Sequence, residues 1–179
     1  MEPLLAETSN RYVLYPIVWT DVWNEYKKHQ QAFWTAEEID FSADIPDWEK
    51  LTDDEKFFIS NVLSFFAGSD GIIFENLSIN FIEEIKVPEI RAYYGWQAAM
   101  ETIHSETYAL MIDTYISNHE EKLRLLNGIK EVSGVKKKAD WAQKWLNSEI
   151  PFSKRLVAFT IVEGLFFAGS FCAIFWLKY

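Results

Sequence analysis

Apolar positions in this chain recur at helical spacing, and stretches of strict alternation that would mark half-buried strands are lacking. The clearest start is Thr52-Asp53-Asp54-Glu55, a capping box, followed by Phe57, Phe58, Val62, Phe65 and Phe66. It predicts a helix over about 53–82. Pro88 opens a second helix, over about 89–117, with Trp96, Met100, Ile103, Thr107 and Leu110 in its apolar stripe. A shorter helix is expected over Glu120 to Ile129. Gly134 and Lys136-Lys137-Lys138 precede another through Trp141 and Trp145. Pro151 and Ser153 open a last helix that runs to Tyr179 with neither Gly nor Pro after Trp176, as in a chain cut inside an apolar helix. Residues 1–50 are mixed and punctuated by Pro3, Pro16 and Pro46. Brief helices are expected at Asn24 to Lys28 and at Thr35 to Ile39, where Thr35 and Glu38 have capping-box spacing. The pattern predicts an all-α bundle forming a single domain, with an N-terminal segment of short elements (1–50) and a partial helical bundle (51–179).

Composition narrows this picture. With 7 Gly and 5 Pro in 179 residues, turn residues are too scarce for a β-sandwich. Aromatics at 17% exclude a disordered chain. A net charge of −10, from 17 basic and 27 acidic residues, argues against a general nucleic-acid binder. The single cysteine, Cys172, rules out an internal disulfide framework and reads as a small buried hydrophobe in a reducing compartment. MEPLLAETSN shows no secretory pattern, so a cytoplasmic setting is expected.

The chemistry lies in three acids among apolar neighbours. Asp70 sits in Phe65-Phe66-Ala67-Gly68-Ser69-Asp70-Gly71-Ile72, Glu101 in Trp96-Gln97-Ala98-Ala99-Met100-Glu101, and Glu163 in Phe159-Thr160-Ile161-Val162-Glu163-Gly164-Leu165-Phe166. Each ionised carboxylate buried in such a setting costs roughly several kcal/mol. Exposure, a salt bridge, protonation or a metal ion would each offset that cost, and no Lys or Arg lies within a turn or two of Asp70 or Glu163. Glu101 and His104 stand at i, i+3 on one helix face, a carboxylate–imidazole set suited to iron, manganese or zinc rather than calcium. A Glu-x-x-His pair with carboxylates from facing helices is the ligand pattern of ferritin-like di-iron proteins. Tyr108, at i+4 from His104, shares that face, and Phe167 and Phe171, at i+4 and i+8 from Glu163, can supply dry walls.

At these residues the chain resembles the small, radical-bearing subunit of class I ribonucleotide reductase, in its eukaryotic and large-DNA-virus branch. The resemblance runs from Tyr15-Pro16-Ile17 onward. It is carried by Phe33-Trp34-Thr35-Ala36-Glu37-Glu38-Ile39-Asp40, Ser69-Asp70-Gly71-Ile72, Met100-Glu101-Thr102-Ile103-His104-Ser105-Glu106-Thr107-Tyr108, Val135-Lys136-Lys137-Lys138-Ala139-Asp140-Trp141-Ala142 and Val162-Glu163-Gly164-Leu165-Phe166-Phe167-Ala168-Gly169-Ser170-Phe171. It implies a ferritin-like fold and a di-iron centre, with manganese as an alternative metal. Asp70, Glu101 and His104 would bind the first ion and Glu163 the second. Tyr108 would carry the radical, Trp34 would pass electrons, and Phe167 and Phe171 would line the radical pocket. The implied partners are a second small subunit, as a homodimer, and the large catalytic subunit that reduces ribonucleotides to deoxyribonucleotides.

The resemblance also implies what is not here. The family continues past Ile174-Phe175-Trp176-Leu177-Lys178 with a second Glu-x-x-His, the aspartate of the electron relay and a docking tail. This chain therefore offers four of six metal ligands, an incomplete site, and alone is expected to form no radical. Two alternatives remain at this stage. Residues 156–177 carry one charge, Glu163, and are long enough to span a bilayer as a single-pass helix. The chain also reads as a non-catalytic ferritin-like remnant that pairs with an intact subunit. Ferritin-like chains that store iron or oxidise hydrocarbons fit less well, because an aspartate first ligand beside Tyr108 points to radical generation.

Overall fold

The computed structural model describes residues 2–177, among which there is no β-strand. The principal helices are α1 (Thr20–Gln31), α2 (Asp53–Asn76), α3 (Pro88–Tyr115), α4 (His119–Leu126), α5 (Ser133–Gln143), α6 (Phe152–Ile161) and α7 (Phe167–Leu177). The expected end of the last helix at Tyr179 lies outside the described residues.

Helix α2 starts where its capping box places it. The Thr52 hydroxyl accepts from the Glu55 N–H at 3.3 Å, and the Glu55 carboxylate accepts from the Thr52 N–H at 2.7 Å. Pro88 stands in the first turn of α3, where its missing N–H costs nothing. The connection between α2 and α3 is short, so the two pack along each other as the central pair of the bundle. Phe66, Ile73, Leu77, Phe81, Ile85 and Val87 form the buried spine of the core, and residues from α5 and α6 close over it. A smaller cluster, Leu63, Ile112 and Leu125, seals the opposite end of the pair.

Two close approaches fix how the later helices sit on α2. Ser64 Oγ donates to the Leu125 carbonyl at 2.6 Å, and a Cβ at Gly128 would fall 1.8 Å from that same Oγ. Only glycine fits there. Arg155, 2% exposed, ties the start of α6 to the helical turn Ile82–Glu84 through paired bonds to Glu84, and makes a 2.8 Å bond to the Ile150 carbonyl. At the N-terminus, fully buried Glu89 pairs with Arg11 and accepts from the Val18 N–H at 2.7 Å, while Leu4 and Leu5 pack on the main core.

The structure departs from the sequence reading in several places. Helix α1 is 12 residues long rather than one brief turn. The helix expected over 120–129 breaks at Asn127 into α4 and a turn at Gly128–Glu131, because the Asn127 side chain bonds the Leu123 carbonyl. Phe57, 66% exposed, and Leu110, 40% exposed, lie off the core faces expected for them. Cys172 is exposed rather than buried. Two π-turns were also not foreseen: Leu77–Phe81 extends α2, and Val162–Phe166 joins α6 to α7 in one rod.

Candidate metal centre

The facing surfaces of α2 and α3 and the second π-turn meet at one point in the bundle. Helix α2 presents Asp70, 2% exposed, and α3 presents Glu101, 6% exposed, with His104 one turn on. One ligand atom from each of these three lies within 4.8 Å of the other two. Glu163 comes from the π-turn, whose extra residue per turn re-aims the side chains after it. It stands beside the triad rather than within it, held by Gln97, whose amide donates at 2.6 Å to Glu163 and at 3.3 Å to Glu101.

These acids face a cavity of about 270 Å³, lined by them together with His104, Trp34, Thr107, Tyr108, Phe167 and Phe171. Every site residue expected from the sequence therefore borders one space. A larger open groove of about 900 Å³ between α1 and α3 contains none of them. The Trp34 indole stacks on the His104 imidazole, centroids 5.7 Å apart and planes at 27°. His104 Nδ1 lies 3.2 Å from Glu101 Oε2. Phe66 packs on Tyr108 at 4.9 Å, on Phe167 at 5.5 Å and on Phe171 at 4.9 Å, so these rings form one wall. Phe167 is buried, whereas Phe171 leaves 41% of its surface open.

The electrostatics are those of a site short of positive charge. Burial, then repulsion from Glu101 and Glu163, pushes the Asp70 carboxyl up to about 8. Burial and the Glu101 charge push Glu163 up to about 7, against the opposing pull of the Gln97 hydrogen bond and of His104. Burial, then the charges of Asp70 and Glu101, holds the Tyr108 phenol firmly protonated. Oδ2 of Asp70 is buried with no hydrogen-bond partner among the described residues. An orphaned carboxylate oxygen, two neighbouring acids that repel it and an imidazole within reach form a hard-to-borderline donor set, and a divalent ion fits it.

Sequence reasoning missed Gln97, Phe66 and Thr107. Gln97 was within reach, since it lies at i−4 from Glu101 on the same helix face. Phe66 reads as one core phenylalanine among several until the fold brings Tyr108 against it.

The model of the family "Ribonucleotide reductase, small chain" matches residues 11–179. The chain belongs to this family. A ribonucleoside-diphosphate reductase small chain of Variola virus is 56% identical over 178 residues, 99% of this chain and 56% of the viral protein. The small chain of Trypanosoma brucei brucei is 55% identical over 177 residues, covering 99% and 52%. The ribonucleotide reductase Rnr4 homodimer of Saccharomyces cerevisiae superposes with a TM-score of 0.83 at 39% identity, over 97% of this chain and 55% of the yeast chain. The chain thus spans about half the length of the curated relatives it matches, and its bundle is ferritin-like, as are the small subunits of solved structure that it resembles. Two helical stretches, Asp53–Glu84 and Phe152–Trp176, are long and apolar enough to cross a membrane. The membrane reading of 156–177 is nonetheless not favoured. The family match includes that stretch, and the same rod delivers Glu163 to the cavity.

Proposed function

We propose that this chain is the N-terminal part of a ribonucleoside-diphosphate reductase small subunit, whose task is to generate and hold a tyrosyl radical for the reduction of ribonucleotides to deoxyribonucleotides. The observation that carries the reading is the orphaned Asp70 oxygen, in a triad whose ligand atoms lie within 4.8 Å of one another, in a cavity that Tyr108 also borders. Asp70, Glu101 and His104 hold the first metal ion, and Glu163 contributes to the second. The metal is iron, with manganese the alternative that the same donor set accepts. When bound, the metal pair supplies, with oxygen, the one-electron oxidising power that a phenol requires.

The remaining tasks belong to the chain. Burial and the charges of Asp70 and Glu101 raise the Tyr108 phenol further above neutral pH, which disfavours loss of its proton without loss of an electron. Phe66 packs on the Tyr108 ring, and Phe167 and Phe171, packed on Phe66, extend that apolar wall along the cavity. Trp34, flat against His104, offers the electron that refills the Tyr108 hole a way in from a large catalytic subunit. Assembly is as a homodimer of small subunits, as in the yeast relative, in the cytoplasm.

The test joins this chain to the C-terminal portion of the trypanosomal relative that it does not cover, then adds ferrous iron and oxygen. The expected result is a tyrosyl absorption band and electron spin resonance signal that Tyr108→Phe abolishes. The chain alone is expected to give neither. A chimera that folds but binds no iron refutes the metal assignment. One that binds iron and forms no radical refutes the assignment of the radical to Tyr108.

A further inference from the structure

A second tyrosine on α3 carries the features of a proton-coupled oxidation site. Tyr115, in the last turn, donates its phenolic hydrogen to Asp44 Oδ2 at 2.5 Å. Its ring is stacked on Trp48, centroids 5.2 Å apart and planes at 20°. Asp44 and Trp48 both come from the short turns Phe41–Asp44 and Ile45–Trp48, which fold against the end of α3. Tyr115 lies seven residues beyond Tyr108, two helical turns on the same face and about 10 Å along the axis. Both rings pack against the dry cluster of Leu63, Ile112 and Leu125, so apolar protein connects them.

We infer that Tyr115, with Asp44 as its proton acceptor and Trp48 stacked on its ring, is a redox-active site at the outer end of α3, a branch from Tyr108 separate from the Trp34 route. In the step, Tyr115 loses one electron to a one-electron oxidant and its phenolic proton to Asp44 Oδ2. The products are a neutral phenoxyl, a protonated Asp44 carboxyl and an oxidant reduced by one electron. A phenol without a base must shed its proton to water or form a high-energy cation, whereas one already bonded to a carboxylate transfers it along an existing hydrogen bond. Transfer from Tyr108 to Tyr115 rests on the Tyr108 reading. The chemistry at Tyr115 does not, because any acceptor strong enough to oxidise a phenol will serve.

The test uses the full chain without metal. It is illuminated with tris(bipyridyl)ruthenium and persulfate, frozen after radicals on exposed Tyr12 and Tyr15 have decayed, and read by electron spin resonance. The expected result is a persistent tyrosyl signal that is retained in Tyr108→Phe and lost in Tyr115→Phe. Asp44→Asn keeps a hydrogen-bond acceptor but cannot take the proton, and it is expected to lose the signal while circular dichroism stays unchanged. A merely structural bond would not respond in that way. A signal of wild-type size in Tyr115→Phe or Asp44→Asn, a tryptophanyl signal in its place, or loss of the signal in Tyr108→Phe overturns the inference. Failure of the Tyr108 reading shows instead in the metal-loaded chimera and leaves this result unchanged.

Discussion

Replacing Asp70 by Asn should make the metal-free chain more stable and deprive it of its metal. The folded carboxyl titrates at about 8 against an ordinary 3.8, so between those values the folded chain keeps a proton that the unfolded chain has released. Native protein then binds more protons than unfolded protein, and stability falls as pH rises through that window. At pH 7 the ceiling on this loss is about 4 kcal/mol. The raised Glu163 carboxyl titrates in the same space, so about 1–4 kcal/mol is the expected gain in the Asn variant. The amide removes a charge, and its N–H₂ can donate to the neighbouring carboxylates. Urea unfolding in the presence of a chelator, near pH 4 and near pH 7.5, measures the gap between the two chains. It should be close to zero at the lower pH and open at the higher. Added divalent metal should then stabilise the wild-type chain and not the variant. An Asn variant less stable than wild type near pH 7.5, or a gap independent of pH, would show that Asp70 is satisfied by contacts other than a cation.

Other substitutions probe the frame around the site. Gly128→Ala forces a Cβ into the Ser64 hydroxyl and breaks its bond to the Leu125 carbonyl, so a loss of about 2–3 kcal/mol in chemical unfolding is expected. Thr52→Ala removes the α2 cap and should cost about 1 kcal/mol in the same assay. Gln97→Leu removes the donor that opposes the rise of the Glu163 carboxyl, so that carboxyl should titrate higher still, as read from its side-chain carbon chemical shift.

Much of this architecture is legible in the chain because burial penalties differ so widely between side chains. A phenylalanine among apolar neighbours needs no explanation, whereas Asp70 beside Phe65, Phe66, Ile72 and Ile73 demands a counter-charge, and the fold places two other acids and an imidazole around it. The helix starts at Thr52 and Pro88 were equally plain, since their signals are local. What stayed hidden depends on packing. The π-turn at Val162–Phe166 leaves no mark in composition, yet it sets the direction of Glu163. Phe57 and Leu110 match the helical period, but α2 and α3 are apolar around most of their circumference, so periodicity alone does not say which side meets a neighbour. The Tyr115–Asp44 bond joins residues 71 positions apart, and no local rule pairs them.

The two halves of the proposed metal site differ in what holds them, and the difference has a measurable consequence. Asp70, Glu101 and His104 sit on α2 and α3, the central helix pair, so their geometry is set by packing that lies wholly within this chain. Glu163 is the only ligand proposed for the second ion among the described residues. It is held by Gln97 and lies in the half-open rod from Phe152 to Leu177. One carboxylate does not retain a divalent ion against water, whereas two carboxylates and an imidazole already within reach of one another do. Anaerobic titration of the chain with cobalt(II), followed by its visible absorption, should therefore saturate at one ion per chain. His104→Ala should abolish that site, and Glu163→Gln should leave it in place. Saturation at two ions would mean that the single carboxylate Glu163 suffices for the second, and retention of the site in His104→Ala that the first ion is not held by the α3 pair.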